Sequence, residues 1–294
     1  QYKEYRPALE YIFRIRNALH LIAKKKQDIV IFDLMPELSS KLGFENSPNF
    51  TKERQCIAKL LSSLHIIHRF SSVIVQKLIR PYIFDKKNIS ILKENRISKN
   101  LYIHNNIVYT SYNRKAQTLL QVLKEVNKLP NSIIKFDNSY LHFIQQTKKI
   151  NSLSSTESKL VASLLKKENL YPILKLFYNA NLFAIIIPYS QRIINQPQFD
   201  GYHIHPVDIH TLNAIKMLHN ITDDFVKNIY DSFSNDEKQI INLAVLFHDI
   251  GKGRMADHHI LGESIFKKFA KSIDLDNTKT SLIAKIIRYH NIMN

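Results

Sequence analysis

A chain of 294 residues with 45% hydrophobic and 10% aromatic content has enough apolar material for one large or two ordinary domains, which excludes general disorder. Five glycines exclude Gly-rich phosphate loops and dinucleotide fingerprints, and the single cysteine, Cys56, excludes an internal disulfide and a thiolate cluster and points to a reducing compartment. The net charge of +17 is compatible with a phosphate-bearing partner, but the basic residues are scattered, with only short clusters at Lys24-Lys25-Lys26 and Lys148-Lys149, so nucleic acid is not an expected partner.

The apolar residues Leu9, Ile12, Phe13, Ile15, Ala18, Leu19 and Ile22 recur at helical spacing and predict an amphipathic helix over residues 8–26. A second helix is expected from Asp33 to Leu42, stopped by Gly43, and a third from Lys52 to Leu78, with Cys56 as an ordinary helix residue. Residues 100–112 read as two short strands around Asn105-Asn106, a hairpin. Helical spacing returns over Lys115–Lys128, and Thr156-Glu157 resembles another helix start. Polar residues from Asn151 to Ser158 mark the preferred domain boundary, giving domains of 1–150 and 151–294. The expected class is all-α with one short hairpin. No apolar run approaches the roughly 20 residues that span a bilayer and no secretory signal opens the chain, so a cytoplasmic protein without membrane contact is expected. The absence of an initiating Met reads as a fragment or a processed chain.

Eight of the thirteen histidines fall between His203 and His290. Ile240, Ile241, Leu243, Ala244, Val245, Leu246 and Phe247 predict a helix buried all round that ends in His248-Asp249. A buried carboxylate needs a partner, and the negative end of a helix favours a cation. Alone, the pair reads as a hydrogen-bonded cap on a core helix. Three further segments change the balance: His210 lies in the first turn of a helix carrying Leu212, Ile215 and Leu218, Asp257-His258-His259 precede a helix carrying Ile260, Leu261, Ile265, Phe266 and Phe269, and His290 ends a helix carrying Leu282, Ile283, Ile286 and Ile287. Imidazoles and carboxylates without thiolates suit Mg²⁺ or Mn²⁺, with Fe²⁺ or Zn²⁺ as alternatives. If the helical path continues past His248, Lys252 projects to the same side and is placed to bind a phosphoryl oxygen, with Gly251 and Gly253 leaving room for substrate. His20, His65, His68, His104 and His142 read as packing or surface residues, and His259 as the lesser neighbour of His258.

This pattern resembles the HD superfamily of metal-dependent phosphohydrolases. The order Ile186-Ile187-Pro188, Gln198-Phe199-Asp200-Gly201-Tyr202-His203, Pro206-Val207-Asp208-Ile209-His210-Thr211-Leu212, His248-Asp249-Ile250-Gly251-Lys252-Gly253-Arg254, Asp257-His258, Gly262 and His290-x-x-Met293 is similar to the HD domain of the bacterial bifunctional uridylyltransferase/uridylyl-removing family. Arg14-Ile15-Arg16-Asn17-Ala18-Leu19-His20, Asp28, Phe32-Asp33 and Leu42-Gly43 resemble the helical linker of the same family. The resemblance implies a linker followed by an HD-type helical bundle. It makes His210, His248, Asp249, His258 and His290 ligands of a divalent metal, with Lys252 and Asp257 as catalytic residues. It implies uridylylated PII protein as substrate, UMP as product and a metal-activated water as nucleophile. The alternatives are an HD phosphohydrolase of small nucleotides and a catalytically incomplete regulatory fragment. Ile209 and Asn294 stand where the family commonly has Glu and Ser, and the chain stops before the final Asp of the signature, so a site short of one ligand is expected. No Gly-Ser turn with paired aspartates occurs, so transferase chemistry is not expected here; Asp274-Leu275-Asp276 has the pair spacing but reads as a helix boundary.

Overall fold

The computed structural model describes residues 2–48, 50–83, 95–98, 100–111, 114, 118–148, 150–198, 205–254 and 256–291. These divide into two compact units, one of residues 1–80 and 194–208, the other of residues 81–193 and 209–294.

In the first unit, α1 (Tyr2–Ala23) ends where Lys24 turns to φ 50°, a 3-10 turn at Phe32–Leu34 leads into α2 (Met35–Lys41), and α3 (Lys52–Ile83) follows. Gly43, at φ 80°, supplies the left-handed residue that stops α2, as its position in the sequence predicts. Tyr11, Ile15, Ala18 and Leu19 of α1 pack with Met35, Leu38 and Cys56. Cys56 is a buried, free helix residue whose carbonyl accepts a 3.3 Å hydrogen bond from the Tyr11 hydroxyl.

The second unit contains a small sheet. Strands β1 (Arg96–Ser98), β2 (Leu101–His104) and β3 (Ile107–Thr110) are antiparallel. Asn105 and Asn106, at φ 49° and 59°, make the turn that pairs Leu101 with Thr110 and His104 with Ile107. Two consecutive positive-φ residues match the twist of the strands, and asparagine tolerates them. The predicted hairpin is therefore present, although position 112 lies outside the described residues. It is part of a larger sheet, because β4 (Lys135–Phe136) pairs in parallel with β3 from beyond α4 (Leu119–Asn127). Helix α4 begins at Thr118, which shares a capping box with Gln121; residues 115–117 of the helix predicted from Lys115 lie outside the described residues.

Helix α5 (Asn138–Gln145) is capped by Asp137, and α6 (Ser155–Leu164) opens on a second capping box, Ser154 with Glu157. Then come α7 (Tyr171–Asn179) and the short α8 (Phe183–Ile186). Helix α9 (Val207–Leu218) carries His210, and α10 (Asp224–Ser232) is amphipathic with no buried residue. Helices α11 (Asn235–Phe247), α12 (His258–Ser272) and α13 (Asn277–Tyr289) start on Ser234, Asp257 and Asp276. Asp274, at φ 56°, and Asp276 thus form a helix boundary, as their sequence context predicts. Phe247 lies tilted at 4.7 Å from Phe269 and edge-on at 5.2 Å from Phe266, and Leu243, Leu246, Ile283 and Ile287 of α11 and α13 are likewise buried. Burial of one such phenyl ring contributes about 1.5–3 kcal/mol. This apolar packing fixes where α11, α12 and α13 end. Among the described residues no helix is long and apolar enough to cross a membrane.

Candidate metal centre

Asp249 follows the last turn of α11 with only 1% of its surface exposed. Around its carboxylate the ends of separate helices meet. His248 Nε2 lies 3.2 Å and Lys252 Nζ 2.9 Å from Oδ2, and His210 Nε2, from the first turn of α9, lies 3.9 Å from the same oxygen. His290 Nε2, at the C-cap of α13, is 3.8 Å from Oδ1. The His248 ring stands 5.3 Å from both the His210 and the His290 rings.

The orientation of two imidazoles is set by the backbone. His248 Nδ1 donates to the Val245 carbonyl and His290 Nδ1 to the Ile287 carbonyl, each at 2.7 Å. With Nδ1 carrying the proton, a neutral ring presents the Nε2 lone pair, and in both residues Nε2 faces Asp249. Lone pairs directed at a carboxylate repel unless a proton or a cation lies among them. Among the described residues the buried Oδ1 of Asp249 has no hydrogen-bond partner. Such an orphaned acceptor, ringed by imidazole nitrogens, fits a divalent cation. His210, His248 and Asp249 form one set of three ligand atoms within 4.8 Å of one another.

Electrostatics keep Asp249 ionised and favour neutral His258 and His290. Burial pushes the Asp249 carboxyl up, but Lys252 and, where its ring carries a second proton in place of a bound cation, His248 outweigh it and hold the group well below the usual carboxylate range. Burial lowers the His258 imidazole, aided by the charge of His259, and burial likewise lowers His290 against the opposing bond to Ile287. A neutral imidazole is the form that binds metal.

Asp257 is the N-cap of α12: Oδ1 accepts from the His259 amide at 2.8 Å and the Ile260 amide at 3.4 Å. These bonds hold its carboxyl below the usual range, and its side chain is exposed. The cap starts the helix so that His258 and His259 occupy its first turn, rather than preceding it as the sequence suggests. Their rings are 3.8 Å apart, and His259 is 4.8 Å and His258 6.2 Å from the His290 ring. The structure therefore brings His210, His248, Asp249, Lys252, His258 and His290 together and adds His259. His205 is exposed, His219 is half-buried, and His203 lies outside the described residues, as do Gly201, Met293 and Asn294.

Helix α11 stops at Phe247 and the chain turns instead of continuing as a helix, yet Lys252 still lies on the side of His248, because its ammonium and His248 Nε2 both approach Asp249 Oδ2. One expectation is corrected. Gly251 makes its close approach to protein, not substrate: a Cβ there would overlap the His258 carbonyl oxygen and sit 2.9 Å from the Gly262 nitrogen. Both Gly251 and Gly253 are buried, and Gly253 at φ 76° makes the turn itself. Arg254 then holds the turn, donating to the Ile250 carbonyl at 2.6 Å and the Tyr189 carbonyl at 2.8 Å. Its position directly after the glycine turn was the available sequence signal. Gly251→Ala is expected to lower stability by about 1–3 kcal/mol, the range for overpacking. A denaturant midpoint unchanged from wild type would contradict the backbone contact that seats His258.

Residues 207–294 match the HD domain family, and residues 1–75 match the family described as GlnD PII-uridylyltransferase. The bifunctional uridylyltransferase/uridylyl-removing enzyme of Psychrobacter sp. (strain PRwf-1) is 27% identical over 308 aligned residues, covering 96% of this chain and 33% of the relative. Those of Haemophilus influenzae (strain Rd) and Bordetella pertussis (strain Tohama I) are 23% and 24% identical, covering 100% and 99% of this chain and 35% of each relative. The chain thus spans about a third of the length of the curated relatives it matches.

Proposed function

We propose that this chain, a relative of the bifunctional uridylyltransferase/uridylyl-removing enzymes with an HD domain over residues 207–294, performs the uridylyl-removing reaction in the cytoplasm. Residues 151–294 act as the hydrolase domain and residues 1–150 as a helical linker. The substrate is the uridylylated form of the PII signalling protein, and water cleaves the phosphodiester to release UMP and the free tyrosine. The observation that carries the reading is the buried Asp249 carboxylate, with imidazole lone pairs aimed at it and an oxygen left without a partner.

His210, His248, Asp249, His258 and His290 hold the divalent metal, Mg²⁺ or Mn²⁺. The bound cation supplies Lewis-acid activation of water and charge neutralisation at phosphorus. Lys252, on a flexible four-carbon stem, turns from Asp249 to a phosphoryl oxygen and stabilises charge that develops there. Asp257 has Oδ1 committed to the α12 amides and uses its other oxygen to accept the proton of the attacking water. The departing tyrosyl oxygen, with a parent pKa near 10, is a good leaving group that needs little help from an acid. The positive charge of the chain, +17, favours approach of the anionic ester.

The test is incubation with uridylylated PII and Mn²⁺. UMP release that stops on chelation is expected. No release from the protein ester, or faster hydrolysis of free nucleotides, would overturn the assignment and in the second case identify a small-nucleotide phosphohydrolase.

A further inference from the structure

We infer that α10 is an interaction helix and that it seats in a basic groove along α12 of a second copy of this chain. The helix spans nine residues, Asp224–Ser232, and buries none of them. Helices shorter than about 12–15 residues are marginal in water, and most gain their stability by packing an apolar face. Here that face points outward: Phe225 is 73% exposed, and Val226 and Ile229 are exposed with it. What holds the helix to its own unit lies at its ends. Asp223 caps it by accepting from the Val226 amide at 2.9 Å, and near the last turn the Lys238 ammonium lies 5.5 Å from the centre of the half-buried Tyr230 ring. Apolar side chains left uncovered on so short a helix mark a surface that a partner covers.

Charge identifies the partner. Asp224, Asn228 and Asp231 fall three or four residues apart in one row on the helix surface, beside the row Phe225, Ile229 and Ser232, so the apolar strip has an acidic edge. In a chain of net charge +17, the complement to that edge is available on the chain itself. A groove on α12 is lined by Ile260, Glu263, Ser264, Lys267, Lys268 and Lys271, which share one face of that helix. Glu263 is taken up by Lys267 and by Arg288 of α13, whereas Lys268 and Lys271 have no ion pair among the described residues. Ile260, 51% exposed, and the alkyl stems of the lysines offer Phe225 and Ile229 an apolar bed, and the two ammonium groups meet the aspartates. Because α10 stands exposed in its own unit, the groove that takes it belongs to another molecule. The contact uses none of the side chains assigned to the metal centre, so it stands apart from the proposed reaction.

The experiment follows the mass of the full chain by sedimentation velocity over a concentration series, at about 0.05 M and about 0.5 M salt, between which the Debye length falls below about 5 Å. Wild type is expected to self-associate as concentration rises, and to do so about fivefold more weakly in the higher salt. Phe225→Asp should weaken association about tenfold or more with unchanged circular dichroism, since the ring is exposed in its own unit. Two double variants identify the partner: Asp224→Lys/Asp231→Lys makes the helix edge basic, and Lys268→Glu/Lys271→Glu makes the groove acidic. Each alone should be monomeric, because like charges then face each other. An equimolar mixture of the two should associate as wild type does, because every helix edge again meets a groove of opposite charge. Mixing would not rescue residues whose role is only structural. Should a double variant fail to fold, Phe225→Asp decides. Wild type that stays monomeric at every concentration would overturn the self-contact and leave α10 to a basic partner of another kind. Association that survives Phe225→Asp or either double variant, or a mixture that stays monomeric, would overturn it equally.

Discussion

Asp249→Asn is expected to reduce UMP release by about a thousandfold or more while the chain stays folded. The amide keeps the shape of the side chain but removes the charge toward which His210, His248, Lys252 and His290 point. Lewis-acid stabilisation contributes several kcal/mol to such reactions, and about 4 kcal/mol corresponds to a factor of about a thousand. Stability should fall as well, but by less. The neighbours of Asp249 together outweigh burial and favour the ionised carboxylate, so neutralising it removes net stabilisation even as it relieves the desolvation penalty. Lys252 is 21% exposed and can take its ammonium to water when the partner is gone, which limits the loss. An unfolding midpoint moderately below wild type is therefore expected, with metal content reduced. Activity retained within tenfold of wild type would remove Asp249 from the centre of the proposed reaction.

Glu125→Ala is expected to lower the stability of the second unit by about 3–5 kcal/mol, the range for breaking one partner out of a buried ion pair. Glu125 Oε1 lies 3.0 Å from Arg114 Nη2, with the two side chains only 13% and 8% exposed. Its other oxygen accepts the Tyr140 hydroxyl at 2.9 Å, and Tyr140 is fully buried. Burial, reinforced by the neighbouring carboxylate charge, holds the Tyr140 hydroxyl well above its ordinary pKa, so it stays a donor at any physiological pH. Arg114 meanwhile stacks 3.9 Å from the centre of the Phe143 ring. Alanine would leave a guanidinium and a phenol buried together without their acceptor. Glu125→Gln keeps an oxygen for Tyr140 and should lose less. Chemical denaturation followed by circular dichroism measures both; a loss under about 0.5 kcal/mol for Glu125→Ala would show that water already serves these donors.

Several features were legible before any coordinates. The hairpin followed from Asn105-Asn106, because a two-residue turn needs positive φ and asparagine tolerates it. The end of α2 followed from Gly43, and the start of α6 from a polar cluster that proves to be a capping box. The candidate ligands were also readable, since few residue types bind hard or borderline cations and they recur here at helix ends. Other features were hidden. The sheet reaches four strands because β4 pairs in parallel with β3 across an intervening helix, and a strand of two residues carries no periodicity to detect. His259 reads as secondary to His258 because the family resemblance places the ligand first, and adjacency in sequence says nothing about which ring turns inward. The glutamate of the buried pair gave no sign either: Glu125 on an amphipathic helix reads as a solvated residue until Arg114 and Tyr140 are packed against it.

By itself, then, the amino-acid sequence determined the helical class, the caps and turns that bound its elements, and the donor atoms available for chemistry. Those signals are local, acting through backbone dihedrals and hydrogen bonds within about four residues. Only the tertiary structure decided that three helix ends converge on one carboxylate, that Lys252 turns onto Asp249, that Gly251 seats the His258 backbone, and that His258, His259 and His290 form a set of their own. Such outcomes depend on how the phenyl rings of Phe247, Phe266 and Phe269 lock α11 against α12. Packing of side chains distant in sequence sets them, and a one-dimensional pattern carries no information about that fit.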